Sequence, residues 1–169
     1  IDIKFNFPEA HFNLGNVLQS LYRYEDSIIS FKQAIKLEPN YTEALYQLAN
    51  THQELGSLEE AEKIFKKEIL LNPDFALAMF TLSKLLMYKN NTKGIYKLLE
   101  RTMIVDPNSI GLKACVLIAI NKLLEGDIIE SKKYLDQAFI IKEKKSKIFQ
   151  NEKIFYKYLI KLFNWHENK

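Results

Sequence analysis

With 169 residues, 47% of them hydrophobic and 27% charged, the chain has enough apolar side chains to bury a core, which excludes disordered and collagen-like classes. Five glycines and four prolines are too few for a loop-rich β sandwich or a dinucleotide-binding α/β enzyme, and the abundance of Leu, Ile, Lys, Glu and Ala predicts an all-α protein. The net charge of +3 is too small to suggest nucleic acid as a partner.

The opening Ile1-Asp2-Ile3-Lys4-Phe5 carries no Met, basic leader or apolar signal core. Residues 1–7 instead align with Ile35–Tyr41 and are expected to be the tail of a preceding helical unit, as if this were a piece of a longer array. Helices are then predicted over 8–21, 24–37, 42–55, 58–71, 76–89, 92–105, 110–124 and 127–142. Their punctuation is regular: Pro39, Pro73 and Pro107 recur at intervals of 34 residues, each closing a helix and opening a polar turn. Gly56 and Gly126 fall just after a first helix, where a left-handed residue is wanted, and Asn90-Asn91 occupies the equivalent place.

Between the prolines the columns repeat. First helices carry His11, Leu14, Gly15 and Leu18, then Leu45, Leu48, Ala49 and His52, then Met79, Leu82, Ser83 and Leu86. Second helices carry Ser27, Phe31 and Ala34, then Ala61, Phe65 and Glu68, then Ile95, Leu99 and Thr102. Small residues at Gly15, Ala49 and Ser83 let paired helices approach, and Phe31, Phe65 and Leu99 fill the space beside them. Glu25-Asp26 and Glu59-Glu60 start second helices, where negative charge offsets the helix dipole.

In these columns the chain resembles the tetratricopeptide repeat family. The resemblance implies a right-handed α-solenoid of helix-turn-helix repeats: 8–41, 42–75, a degenerate 76–109 and, with two residues inserted near Ser109-Ile110-Gly111, 110–145. Residues 146–169 are expected to add a C-terminal capping helix, with Ile148, Phe155, Leu159 and Leu162 in a stripe across 146–163.

The family lines its concave face with first helices, so the resemblance places a protein or peptide partner against Phe12, Tyr46 and Phe80, then Asn13, Gln47 and Thr81, then Asn16, Asn50 and Lys84. Repeated amides can bond an extended peptide backbone, and Phe12, Tyr46, Phe80 and Tyr88 offer aromatic anchors. The phrase Glu9–Asn16 is similar to repeats of O-linked N-acetylglucosamine transferase, whose inner surface carries an asparagine ladder. The carboxylate clamp that other members use for chaperone tails is not matched: Phe12 stands where a clamp lysine belongs, and Leu77 and Thr81 replace the basic pair of the third unit.

No catalytic, cofactor or metal constellation emerges, because His11 and His52 sit in packing columns and no histidine pair has ligand spacing. Cys115, alone in an apolar run, is expected to be a buried small hydrophobe, consistent with a reducing, cytoplasmic setting. That run is too short to span a membrane. The expected function is a protein-interaction scaffold. The alternative is the substrate-recruiting arm of a larger transferase, with self-association through the lysine-rich last helix as a further possibility.

Overall fold

The computed structural model describes residues 7–89 and 94–143, and within them eight α-helices and no strand. They divide into two compact units, residues 1–95 and 96–169. The capping helix expected over 146–169, the Asn90-Asn91 turn and residues 1–6 of the expected N-terminal tail lie outside the described residues.

The first unit contains α1 (Pro8–Ser20), α2 (Tyr24–Leu37), α3 (Thr42–Glu54), α4 (Leu58–Leu71) and α5 (Ala76–Tyr88). α1 pairs with α2 and α3 with α4 as hairpins, and α2 packs on α3 as α4 packs on α5. The hairpins close through the columns the sequence marks. Phe31 and Phe65 are fully buried, as are Ala34, Ala49 and Ala61. Ile28, Phe31 and Leu48 form one cluster, joined by Phe12, Ile35 and Ile64. At the α1–α2 crossing a Cβ on Gly15 would lie 2.5 Å from Phe31 Cε1, so only glycine lets the helices come this close.

The second unit contains most of α6 (Ile95–Val105), then α7 (Ile110–Leu124) and α8 (Ile128–Glu143). α7 and α8 pair as a hairpin around Leu112, Cys115 and Ala138, with Ala119 and Leu135 forming a second cluster. Cys115 is buried, and burial pushes its thiol up to about 11, too high for a nucleophile at neutral pH.

One hydrogen bond marks the repeat physically. In α2 the buried Ser27 hydroxyl donates to the Gly15 carbonyl at 2.9 Å, and in α8 the buried Ser131 hydroxyl donates to the Ala119 carbonyl at 2.5 Å. Both pairs join a small residue of a first helix to a serine twelve positions later. Where that second column holds Ala61 the bond has no donor, and packing alone closes the α3–α4 hairpin.

Two turns differ from expectation. The left-handed residue between first and second helices is glycine at Gly56 (φ 74°) and Gly126 (φ 84°), but in the first repeat it is Tyr22 at φ 60°. A side chain there costs roughly 1 kcal/mol relative to glycine. α6 begins at Ile95 rather than at residue 92, directly after Gly94 at φ 85°. The turn from α6 to α7 is organised by Asp106, whose carboxylate accepts from the backbone N–H groups of Asn108, Ser109 and Ile110 at 3.3, 3.0 and 3.3 Å. Gly111 then donates to the Asp106 carbonyl at 2.7 Å, and any Cβ on Gly111 would strike that carbonyl.

Candidate functional site

The candidate groove residues lie on α1, α3 and α5 in the first unit. The aromatic column turns inward. Phe12 packs against Phe31 and Tyr41, with ring centroids 5.9 and 5.1 Å away, and Tyr46 packs against Phe65 and Phe75 at 5.9 and 5.4 Å. The Tyr46 hydroxyl lies 3.3 Å from the Thr81 hydroxyl, which itself donates to the Leu77 carbonyl at 2.8 Å. These rings therefore join successive helices and leave little face for a ligand.

The polar columns are more open. Asn13 is exposed, while Asn16, Gln47 and Asn50 are half-buried. The Asn50 amide donates to Gln47 Oε1 at 3.5 Å, a long contact that a ligand could displace. Phe80 is half-buried, with the Lys84 ammonium 5.9 Å from its ring centroid.

Beyond these columns the helices frame a concavity that the sequence reading identified only at Lys84 and Tyr88. A cleft of about 520 Å³ is lined by Gln53, Glu54, Gly56, Leu58, Lys84, Leu85 and Tyr88. It is built where α3 ends, the left-handed Gly56 reverses the chain into α4, and the last turns of α5 pass by. α4 and α5 are tied beside it by Lys89, whose ammonium pairs with Glu62 at 2.7 Å and Glu59 at 3.3 Å. The hydrogen bond from Lys66, and then the one from Lys89, hold the Glu62 carboxyl below its usual range.

The lining combines three kinds of group. Leu85 is buried and Leu58 half-buried, which gives an apolar floor, and the Tyr88 ring is 78% exposed. Gln53 Oε1 is buried and has no hydrogen-bond partner among the described residues. Lys84 and Glu54 are exposed and form no ion pair among the described residues. An orphaned buried acceptor costs about 1–3 kcal/mol, which a donor supplied by a ligand would recover. Next in sequence, His52 is half-buried with Nδ1 unpartnered; burial, and then the Lys32 charge, lower its pKa, so the neutral imidazole is favoured there.

The second unit holds a polar cluster of a different kind. The Tyr96 hydroxyl donates to Glu125 Oε1 at 2.7 Å and accepts from the Asn121 amide at 2.6 Å, while the Lys122 ammonium stands 4.5 Å from the Tyr96 ring centroid. Lys122, which interrupts the apolar column, pairs with Glu125 and Asp127 at 3.3 and 3.8 Å. Its partners are thus all satisfied within the protein. Among the described residues no group of three or more His, Cys, Asp or Glu could hold a metal ion, and no helix is long and apolar enough to cross a membrane.

Two family models, both for the tetratricopeptide repeat, match residues 8–41 and 30–63. Over residues 8–63 the chain carries tetratricopeptide repeats. Solved structures of similar fold include two crystal structures of MamA, each 24% identical, with TM-scores of 0.77 and 0.73. Both alignments cover 85% of this chain, and they cover 83% and 77% of the respective MamA chains. A third, MamA residues 41–end from Desulfovibrio magneticus RS-1, is 16% identical with a TM-score of 0.71, covering 86% of this chain and 80% of that one. No curated protein matches the chain significantly in sequence. At these identities the likeness establishes the tetratricopeptide fold and nothing about ligands.

Proposed function

We propose that the chain is a protein-interaction scaffold that holds a segment of a partner protein in the cleft between α3 and α5. The observation that carries this reading is the composition of the cleft: a buried acceptor without a donor, Gln53 Oε1, lines the same concavity as an exposed ammonium, Lys84, and an exposed ring, Tyr88. A peptide backbone answers both polar groups, its N–H donating to Gln53 and its carbonyl accepting from Lys84. An apolar side chain of the same segment would lie on Leu85 and against Tyr88, where aromatic burial contributes most to affinity. Asn50 and Gln47, on α3 toward its start, would extend the contact along the groove, while Phe12 and Tyr46 hold the helices that form it.

The test is capture from native lysate by the chain and by a variant carrying Gln53→Ala, Lys84→Ala and Tyr88→Ala, with helicity and melting temperature matched. The expected result is a partner retained by the chain and reduced at least tenfold in the variant, in keeping with hot-spot losses of 2 kcal/mol or more. Equal capture by both would remove the cleft as the binding site.

A further inference from the structure

A peptide backbone lying in the α3–α5 cleft would leave two of its lining groups unanswered, the Glu54 carboxylate and the face of the Tyr88 ring. Residues 53–62 carry four acidic side chains, Glu54, Glu59, Glu60 and Glu62, and no lysine or arginine. Three of them are matched inside the protein: Glu59 and Glu62 pair with Lys89 at 3.3 and 2.7 Å, and Glu60 pairs with Lys63 at 2.6 Å. Glu54, exposed at the end of α3, forms no ion pair among the described residues. Beside it, Gln53 presents a buried carbonyl oxygen that also lacks a donor. Tyr88, 78% exposed, stacks on no ring and holds no cation among the described residues.

Two acceptors and an open ring in one concavity select the charge of what fills it. A carboxylate would meet Glu54 and the Gln53 oxygen with a donor from neither. A cation with several N–H groups answers all three. A guanidinium is planar, donates from a fixed fork to two acceptors at once and lies flat on an aromatic face, whereas an ammonium offers a compact point charge. Its aliphatic stem suits the apolar floor at Leu58 and Leu85. Lys84, the cation that the cleft itself carries, leans the other way: its ammonium stands 5.9 Å from the Phe80 ring, one turn toward the start of α5, while Tyr88 lies one turn toward its end. We infer that the cleft is an arginine subsite, in which a partner segment places a guanidinium against Glu54, Gln53 Oε1 and the Tyr88 ring. Gln53 Oε1 has two lone pairs, so the guanidinium shares it with the backbone N–H of the same segment. The inference rests on the cleft being the binding site and gives that site its specificity.

The test is an NMR titration of the 169-residue chain with three probes of identical backbone, the N-acetyl methylamides of arginine, lysine and citrulline. Citrulline keeps the planar shape of arginine and removes its charge. The expected result is that the arginine probe moves the Gln53 side-chain amide and the Leu85 methyl resonances, with an apparent affinity about fivefold or more above that of citrulline and above that of lysine. Glu54→Gln and Tyr88→Leu should each bring the preference for arginine over citrulline below about twofold. Both side chains are exposed, so these variants should melt within about 2 °C of the parent chain. Equal binding of all three probes at those resonances, lost in Gln53→Ala, would overturn the arginine subsite while leaving the cleft as a peptide site. An arginine preference that survives both variants, or no response of the cleft to the arginine probe, would overturn it as well. Whether the cleft holds a partner at all is decided separately by the lysate capture.

Discussion

Raising the pH from 5 to 8.5 is expected to destabilise this protein by up to about 4 kcal/mol through a single side chain, Glu68. Glu68 is fully buried in α4, neither carboxylate oxygen has a hydrogen-bond partner, and it sits in the column that Ala34 and Ala138 fill in other helices. Burial first, and then the nearby Glu43 charge across from α3, push its pKa from 4.5 up to about 8. The folded state thus holds a proton that the unfolded chain has released by neutral pH. Its contribution to stability is complete below the unfolded value of 4.5 and is lost as pH rises through about 8. Melting curves at pH 5, 7 and 8.5 for the chain and for Glu68→Gln check this. The glutamine variant, similar in shape and without charge, should show a much flatter profile and overtake the parent chain above neutral pH. Parallel profiles would mean that the Glu68 carboxyl reaches water or a partner and would contradict its burial.

Phe31→Ala is expected to cost about 4 kcal/mol, the cost usual for emptying a fully buried phenylalanine site. Phe31 joins both hairpins of the first unit: it fills the space over Gly15, meets Phe12 at 5.9 Å and clusters with Ile28 and Leu48. On the Gly15 side the cavity faces backbone, which has no side chain to move into it. Ile29, on the same helix but 66% exposed, is the control, and Ile29→Ala should cost less than about 0.5 kcal/mol. Urea unfolding of the two variants measures the difference, and similar losses for both would contradict the assigned core.

What could be read from the sequence follows from which properties repeat. The helix limits 24–37, 58–71 and 110–124 match α2, α4 and α7, because proline stops and the 34-residue spacing write the packing period directly into residue types. Phe31, Phe65 and Cys115 are buried for the same reason. Tyr22 carries no mark of its left-handed backbone; only its alignment with Gly56 reveals it. The start of α6 moved to Ile95 since Gly94, not the helical period, decides where that helix begins.

The candidate site was harder to read. Column arguments place Phe12, Tyr46 and Phe80 on one face, but the direction of each ring depends on what its neighbours leave open. Tyr41 and Phe75, at the turns, draw Phe12 and Tyr46 into the hairpin packing. Gln53 and Glu54 carry no mark in the repeating signature, because they lie in the last turn of α3. Their signal was spacing: Asn50 and Gln53, three residues apart, share one side of α3, as Lys84 and Tyr88, four apart, share one side of α5. Glu68 was legible as well, since a carboxylate in a column of small residues breaks the pattern.

Site-specific photo-crosslinking in native lysate tests the cleft directly, with a photoreactive phenylalanine analogue placed at position 88 in the cleft or at position 70, where Leu70 is 81% exposed on α4. A discrete crosslinked partner is expected from position 88, absent from position 70 and suppressed when Gln53→Ala and Lys84→Ala are present. A partner crosslinked equally from both positions, or from position 70 alone, would contradict a binding cleft between α3 and α5.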